Sequence, residues 1–303
     1  MKKGFFVALL LLSRVVLWAQ WHDNVWLLGY NSNSADPLAE GIRFVFGDSL
    51  QIFYEKRPVP FANAYASFCD SSGRLLLHSN GCFVADSSGR PIPGSEGMNP
   101  GILHDIDCLK KRGYNLAQSM VLLQDPGNSQ VFHFFHVPLA NPVEPTDLLH
   151  TAVDLGANGG EGSTLFKNRV LVSDTIHYDG LHAVRHANGR DWWVVAAKQR
   201  SNKYYLLLLD PQGVRVQEQL VGVPTVSADR GEMAFSPDGR RLARYNPRDG
   251  LRLFNFDRCT GMLYHPQYIE VSGVHIGGLY AGMGWSADSR YLYLTDAYKL
   301  FQF

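Results

Sequence analysis

The sequence predicts an all-β protein, a β-propeller of four-stranded antiparallel blades, about five in number with the last incomplete. Three observations predict it. First, the segments His182–Val194, Glu232–Arg244 and Gly282–Leu294 align without gaps, so that Asn188, Asp238 and Asp288 recur in steps of 50 residues, each followed two places later by Arg190, Arg240 or Arg290. A repeat near 50 residues is the signature of stacked or radial units that cannot bury their apolar faces alone. Second, each copy has an apolar-rich stretch on either side of an Asn/Asp-Gly-type turn, the short-range mark of a β-hairpin. Third, beyond the first 20 residues the apolar side chains come in short runs bounded by Gly, Pro, Asp and Asn, with no sustained 3.6-residue period, so helix is expected to be scarce.

Along the chain, Lys2 and Lys3, the apolar run Phe5–Leu12 and the small residue Ala19 have the three parts of a secretory signal, assigned to residues 1–19. Ser13 and Arg14 interrupt the run well short of the roughly 20 apolar residues that a membrane span needs. Residues 20–303 then form the propeller domain of an exported protein in the periplasm, at the cell surface or outside the cell, with no transmembrane segment. Looser copies of the repeat stand at Ala66–His78 and Ser119–Phe135. Third strands are expected at Tyr204–Leu209, Leu251–Phe256 and Lys299–Phe303, and a fourth at Tyr268–Val271. The stretches Asp86–Asn115 and Gly156–Asn168 read as long loops. Because the chain stops within a third strand, the domain is read as truncated at its C-terminus, or as closed by pairing the early strand around Trp26–Tyr30 with the last blade.

Several segments carry a resemblance: Trp26–Tyr30, Cys69–Gly73, Ser79–Gly81, Met98–Gly101, Val184–Trp193, Phe235–Gly239 and Phe256–Gly261. Through them the chain resembles secreted propeller-bearing proteins of the Bacteroidota, and its Ser236-Pro237-Asp238-Gly239 element is similar to the WD-repeat-like units of TolB-type propellers. The resemblance implies a propeller without a common assigned activity. Many members carry a sorting domain for type IX secretion; none is read in this sequence up to Phe303, so attachment by that route is not expected for the chain as it stands.

Lys plus Arg equals Asp plus Glu at 28 each, so no net field favours nucleic acid or anionic lipid. At 46% hydrophobic and 18% charged residues the chain can bury a large core. Four cysteines in an oxidising compartment permit disulfides. Cys69 and Cys82 flank a hairpin and form the first candidate pair, with Cys82 to Cys108 equally open. His182 and His186 share one face of a strand and, with Arg185, Trp192 and Trp193, form the candidate binding set. His104, Asp105 and Asp107 offer metal donors in a loop. His133 and His136, three apart, face opposite sides of a strand and are assigned to packing.

No cofactor is implied. Gly159–Gly162 lacks the Gly-Lys-Ser/Thr ending of a phosphate loop, and Gly282–Ala287 matches a dinucleotide fingerprint only in letters, since a strand rather than a helix follows it. The periodic Asn188, Asp238, Asp288, Arg190, Arg240 and Arg290 are assigned to blade turns, because a group repeated in every blade serves geometry. The reading is therefore an exported noncatalytic propeller that binds a protein, peptide or glycan outside the cytoplasm. The alternatives are a propeller hydrolase or lyase with a metal or acid/base site at the channel mouth, and a fragment of a larger surface protein.

Overall fold

The computed structural model describes residues 23–29, 41–57, 59–139, 146–226, 231–273, 282–296 and 298–303, so the signal segment expected at 1–19 lies outside the described residues. The three aligned segments fold alike. In each, a first strand reaches an Asp- or Asn-centred turn and returns as the second: His182 faces Val195, Glu232 faces Tyr245 and Gly282 faces Thr295 in the same register. The turns close by equivalent backbone bonds, His186 N–H to Asp191 O, Ser236 N–H to Arg241 O and Ser286 N–H to Tyr291 O. Asp238 and Asp288 each accept from a serine hydroxyl and from the N–H of Arg240 or Arg290. Asn188 Oδ1 accepts from the N–H groups of Arg190 and Asp191. One side-chain oxygen thus satisfies backbone donors that a tight turn leaves without ladder partners.

Among the described residues the strands form six antiparallel sheets, each with its strands in sequence order. The first holds β1 (Val25–Leu28), β2 (Ile42–Val45) and β3 (Gln51–Tyr54), and the second β4 (Ala66–Cys69), β5 (Leu75–Ser79) and β6 (Val84–Asp86). The third holds β7 (Met120–Gln124), β8 (Val131–His136), β9 (Asp147–Asp154) and β10 (Ser163–Ser173). The fourth holds β11 (Ile176–Arg185), β12 (Trp192–Lys198), β13 (Lys203–Asp210) and β14 (Gly213–Leu220). The fifth holds β15 (Glu232–Phe235), β16 (Arg241–Asn246), β17 (Gly250–Asp257) and β18 (Met262–Ile269). The sixth holds β19 (Gly282–Trp285), β20 (Leu292–Thr295) and β21 (Leu300–Gln302).

The first strands β1, β4, β7, β11, β15 and β19 stand side by side in chain order, and apolar cores fill the space between neighbouring sheets. This is the radial arrangement of a propeller, in which sheets bury one another face to face and only short edges remain. Trp193 shows how tight the contact is. Its ring lies between the fourth and fifth sheets, edge-on to Phe256, and a Cβ at Gly261 would meet it at 2.5 Å.

Four expectations are corrected. Among the described residues there are six sheets where about five blades were expected, because β1 pairs with β2 and heads a sheet of its own instead of joining the last blade. Part of the expected loop 156–168 is the start of β10. The last strand of the fifth sheet begins at Met262 and runs through Pro266. A bulge opposite Phe254, with His265 at a φ of 47°, lets the proline sit where no ladder N–H is required. Finally, the disulfide joins Cys82 to Cys108, with a Cα separation of 5.5 Å, and not to Cys69. Cys69 pairs with Leu75 at the turn end of the β4–β5 hairpin, whereas Cys82 lies beyond Ser79 at its other end, so no bond can reach across. Cys69 is a buried thiol and Cys259 an exposed one.

Candidate functional site

The first strands line the centre of the ring, and a cavity of about 610 Å³ opens there. Its polar groups come from several sheets: Tyr65 just before β4, Gln118 just before β7, His182 in β11 and Glu232 at the head of β15. Gln118 and Glu232 form the organised part. The Gln118 amide nitrogen donates to Glu232 Oε1 at 3.0 Å, while its carbonyl oxygen accepts from the Met233 N–H at 3.2 Å. These two bonds fix which end of the amide points at the carboxyl, since only the nitrogen end can donate.

Gln118 itself is held at a φ of 47°, a region few side-chain-bearing residues adopt, and its carbonyl accepts from the Leu181 N–H. Gly180 lies so close that a Cβ there would meet Gln118 at 2.5 Å. A strained backbone over-determined by its surroundings is typical of a site that must hold one geometry.

Burial is the main influence on Glu232 and pushes its pKa up to about 7. A bond from the Met283 backbone in β19 and the one from Gln118 pull in the other direction without cancelling it. Tyr65, half exposed into the cavity, is raised by its partial burial and by the nearby Glu232. His182 borders the same cavity, yet its Nδ1 is buried without a partner, and burial lowers its pKa to about 4, so the ring is neutral at neutral pH. The cavity therefore holds a carboxyl group able to take or give a proton near neutrality, an oriented amide, a phenol and a neutral imidazole.

Of the predicted binding set, His182 and Trp192 border the cavity. The other three do not line it. His186 lies four residues from His182, just past the end of β11 and about 13 Å farther along, too far for the two to hold one metal ion. Its Nδ1 accepts from the Asn188 N–H and its Nε2 donates to the Cys259 carbonyl, which makes it part of the turn. Trp193 is buried and donates to the Arg258 carbonyl. Arg185 lies 3.6 Å over the Trp192 ring and donates to the Arg190 carbonyl, so it braces that ring.

The expected metal donors lie away from this cavity. His104, Asp105 and Asp107 fall on one turn of π-helix; His104 reaches only Asp105, and Cys108 is used in the disulfide. Among the described residues no three His, Cys, Asp or Glu side chains gather as a metal site. His133 and His136 belong to buried networks: His133 bridges Asp125 and His150, and His136 bridges Asn99 and Thr151.

Glu232, Gln118 and Tyr65 were not singled out in the sequence. One signal pointed to Glu232: it occupies the same repeat position as His182 and Gly282, where register is kept and residue type is not.

No protein-family model matches the sequence, and no curated protein resembles it significantly. Among solved structures it is similar to a protein described as a candidate 6-phosphogluconolactonase from Bacteroides fragilis, at 13% identity over 89% of this chain and 86% of that one, with a TM-score of 0.42. A second protein so described, from Bacteroides uniformis, is 13% identical over 89% and 88%, with a TM-score of 0.44. A gluconolactonase from Xanthomonas campestris is 13% identical over 93% and 87%, with a TM-score of 0.40. Likeness at this level transfers no activity, and the reading of the site rests on its own geometry.

Proposed function

We propose that this propeller receives a small polar ligand in its central channel and exchanges a proton with it through Glu232, as a hydrolase or lyase site would. The observation that carries the reading is the Gln118–Glu232 pair: a carboxyl poised near neutrality, in a cavity, aimed by an amide whose own orientation is set by the Met233 N–H. A general acid or base works best when its pKa lies near the working pH, and such groups contribute roughly 10²- to 10⁴-fold to a rate. Tyr65 is the partner that could donate to a ligand oxygen, and Trp192 supplies an apolar wall.

The test is a screen of small esters, lactones and glycosides, followed by pH–rate profiles. The expected result is turnover with one limb near pH 7 that disappears in Glu232→Gln while ligand binding survives. Saturable ligand binding without turnover, equal in wild type and Glu232→Gln, would instead return the chain to a noncatalytic module for a protein, peptide or glycan.

We infer also that the protein works outside the cytoplasm. Support comes from the Lys2–Ala19 leader and from the Cys82–Cys108 disulfide, a bond that persists in oxidising compartments. Thiol labelling of protein recovered from cell fractions tests this. The expected outcome is an extracytoplasmic chain whose labelled positions after unfolding are Cys69 and Cys259.

A further inference from the structure

A second cavity, of about 340 Å³, lies between the first and second sheets, away from the channel. Its apolar lining comes from Val25, Leu27 and Val45 of the first sheet and Leu75 of the second. Its charged and polar lining includes Arg43, Glu55 and Arg57 on the side of the first sheet and His78 on the second. Its charges do not balance. Glu55 is held by Arg43 at 2.9 Å and stands 3.6 Å from Arg57, so two guanidinium groups share one carboxylate. Arg74, at the rim, is already paired with Asp70 at 2.8 Å.

Arg57 is the exceptional group. Its Nη2 donates to the carbonyls of Leu28 and Ile42, tying the end of β1 to the start of β2. Its Nε and Nη1 are buried with no hydrogen-bond partner. His78 is 3% exposed, and both its ring nitrogens are also buried and unpartnered. A buried guanidinium with two unmet donors beside an imidazole with none satisfied is costly unless something supplies the missing acceptor.

We propose that this cavity is a binding site for a small organic carboxylate with a short apolar tail. Its acid group sits between Arg57 and His78, and its hydrocarbon part lies against Val25, Leu27, Val45 and Leu75. The carboxylate supplies the second negative charge and the acceptor that the two side chains lack. These apolar side chains and the cavity size favour a tailed carboxylate over a bare oxyanion, since small-molecule sites combine an apolar lining with a few placed polar groups. The proposal is independent of the channel reading.

The test is calorimetric titration of the full chain with hexanoate, hexanol and inorganic phosphate. Hexanoate is expected to bind saturably and more tightly than either of the others. His78→Leu should weaken it, and Glu55→Gln should tighten it by roughly fivefold or more, because the competing carboxylate is gone. That gain in affinity is a result that loss of folding cannot imitate. Glu232→Gln should leave hexanoate binding unchanged. Equal affinity for hexanol, phosphate binding as tight as hexanoate, no gain in Glu55→Gln, or a loss in Glu232→Gln would each overturn the proposal.

Discussion

The central channel and the cavity between the first two sheets each bury ionisable groups, and they treat them in opposite ways. In the channel one acid is surrounded by neutral donors: the Gln118 amide and the Met283 backbone contact Glu232, and no cation appears among the influences on it. Between the sheets Arg43 and Arg57 share the Glu55 carboxylate, and His78 is kept neutral, its pKa lowered to about 4 by burial first and by Arg57 second, with Asp86 pulling the other way. The channel group is poised to change its proton. The inter-sheet group is poised to gain a partner. The contrast teaches that burial alone does not define a functional site; the identity of the neighbours decides whether a group titrates or binds.

The two regions also respond to pH with opposite sign. Glu232 has a folded pKa raised from 4.5 to about 7, so the folded state holds the extra proton, and its contribution to stability is lost as pH rises from 4.5 through 7. His78 has a folded pKa lowered from 6.5 to about 4, so the unfolded state holds the extra proton, and stability is lost as pH falls from 6.5 through 4.

The largest expected effect is on catalysis. Glu232→Gln should cut turnover of a channel substrate by roughly 10²-fold or more, measured as kcat, whereas His78→Leu should leave kcat unchanged. Equal losses in both variants would break the division of labour between the regions. Next, chemical denaturation should find Glu232→Gln more stable than wild type by about 2 kcal/mol at pH 8, with the gain vanishing toward pH 4.5. His78→Leu should show the mirror image, a gain of about 2 kcal/mol near pH 4.5 over its value at pH 8. Gains of the same pH sense in both would overturn the comparison. The smallest effect is expected from Gln118→Leu. Loss of a donor to the carboxylate should move the Glu232 titration further upward, seen by carboxyl NMR, and lower stability by about 1 kcal/mol.

Much of the blade geometry was legible in the sequence. The 50-residue recurrence of Asn188, Asp238 and Asp288 reflects a local fact, that one side-chain oxygen three residues after a strand can satisfy N–H groups of the turn it sits in. The first sheet was not legible. The repeated turn joins first and second strands, and in this sheet that link, from β1 to β2, covers residues 29–41 where the fifth sheet uses 236–240, so the repeat is out of step there. Within the candidate site, His182 and Trp192 of the expected set both border the cavity, one from β11 and one from β12. Glu232 was passed over because its significance depends on Gln118 and Met283, 114 residues before it and 51 after it in the sequence.

By itself, then, the sequence determined the period, the turns, the hairpin registers and the scarcity of helix, all set by contacts between residues close in the chain. Only the tertiary structure decided that the described residues form six sheets, that Cys82 bonds to Cys108, and which of the repeated first-strand positions carries an acid with a pKa near neutrality. The physical reason is the same in each case. Desolvation, disulfide reach and the pairing of buried charges depend on distances across blades, and those distances exist only once the sheets have packed around the channel.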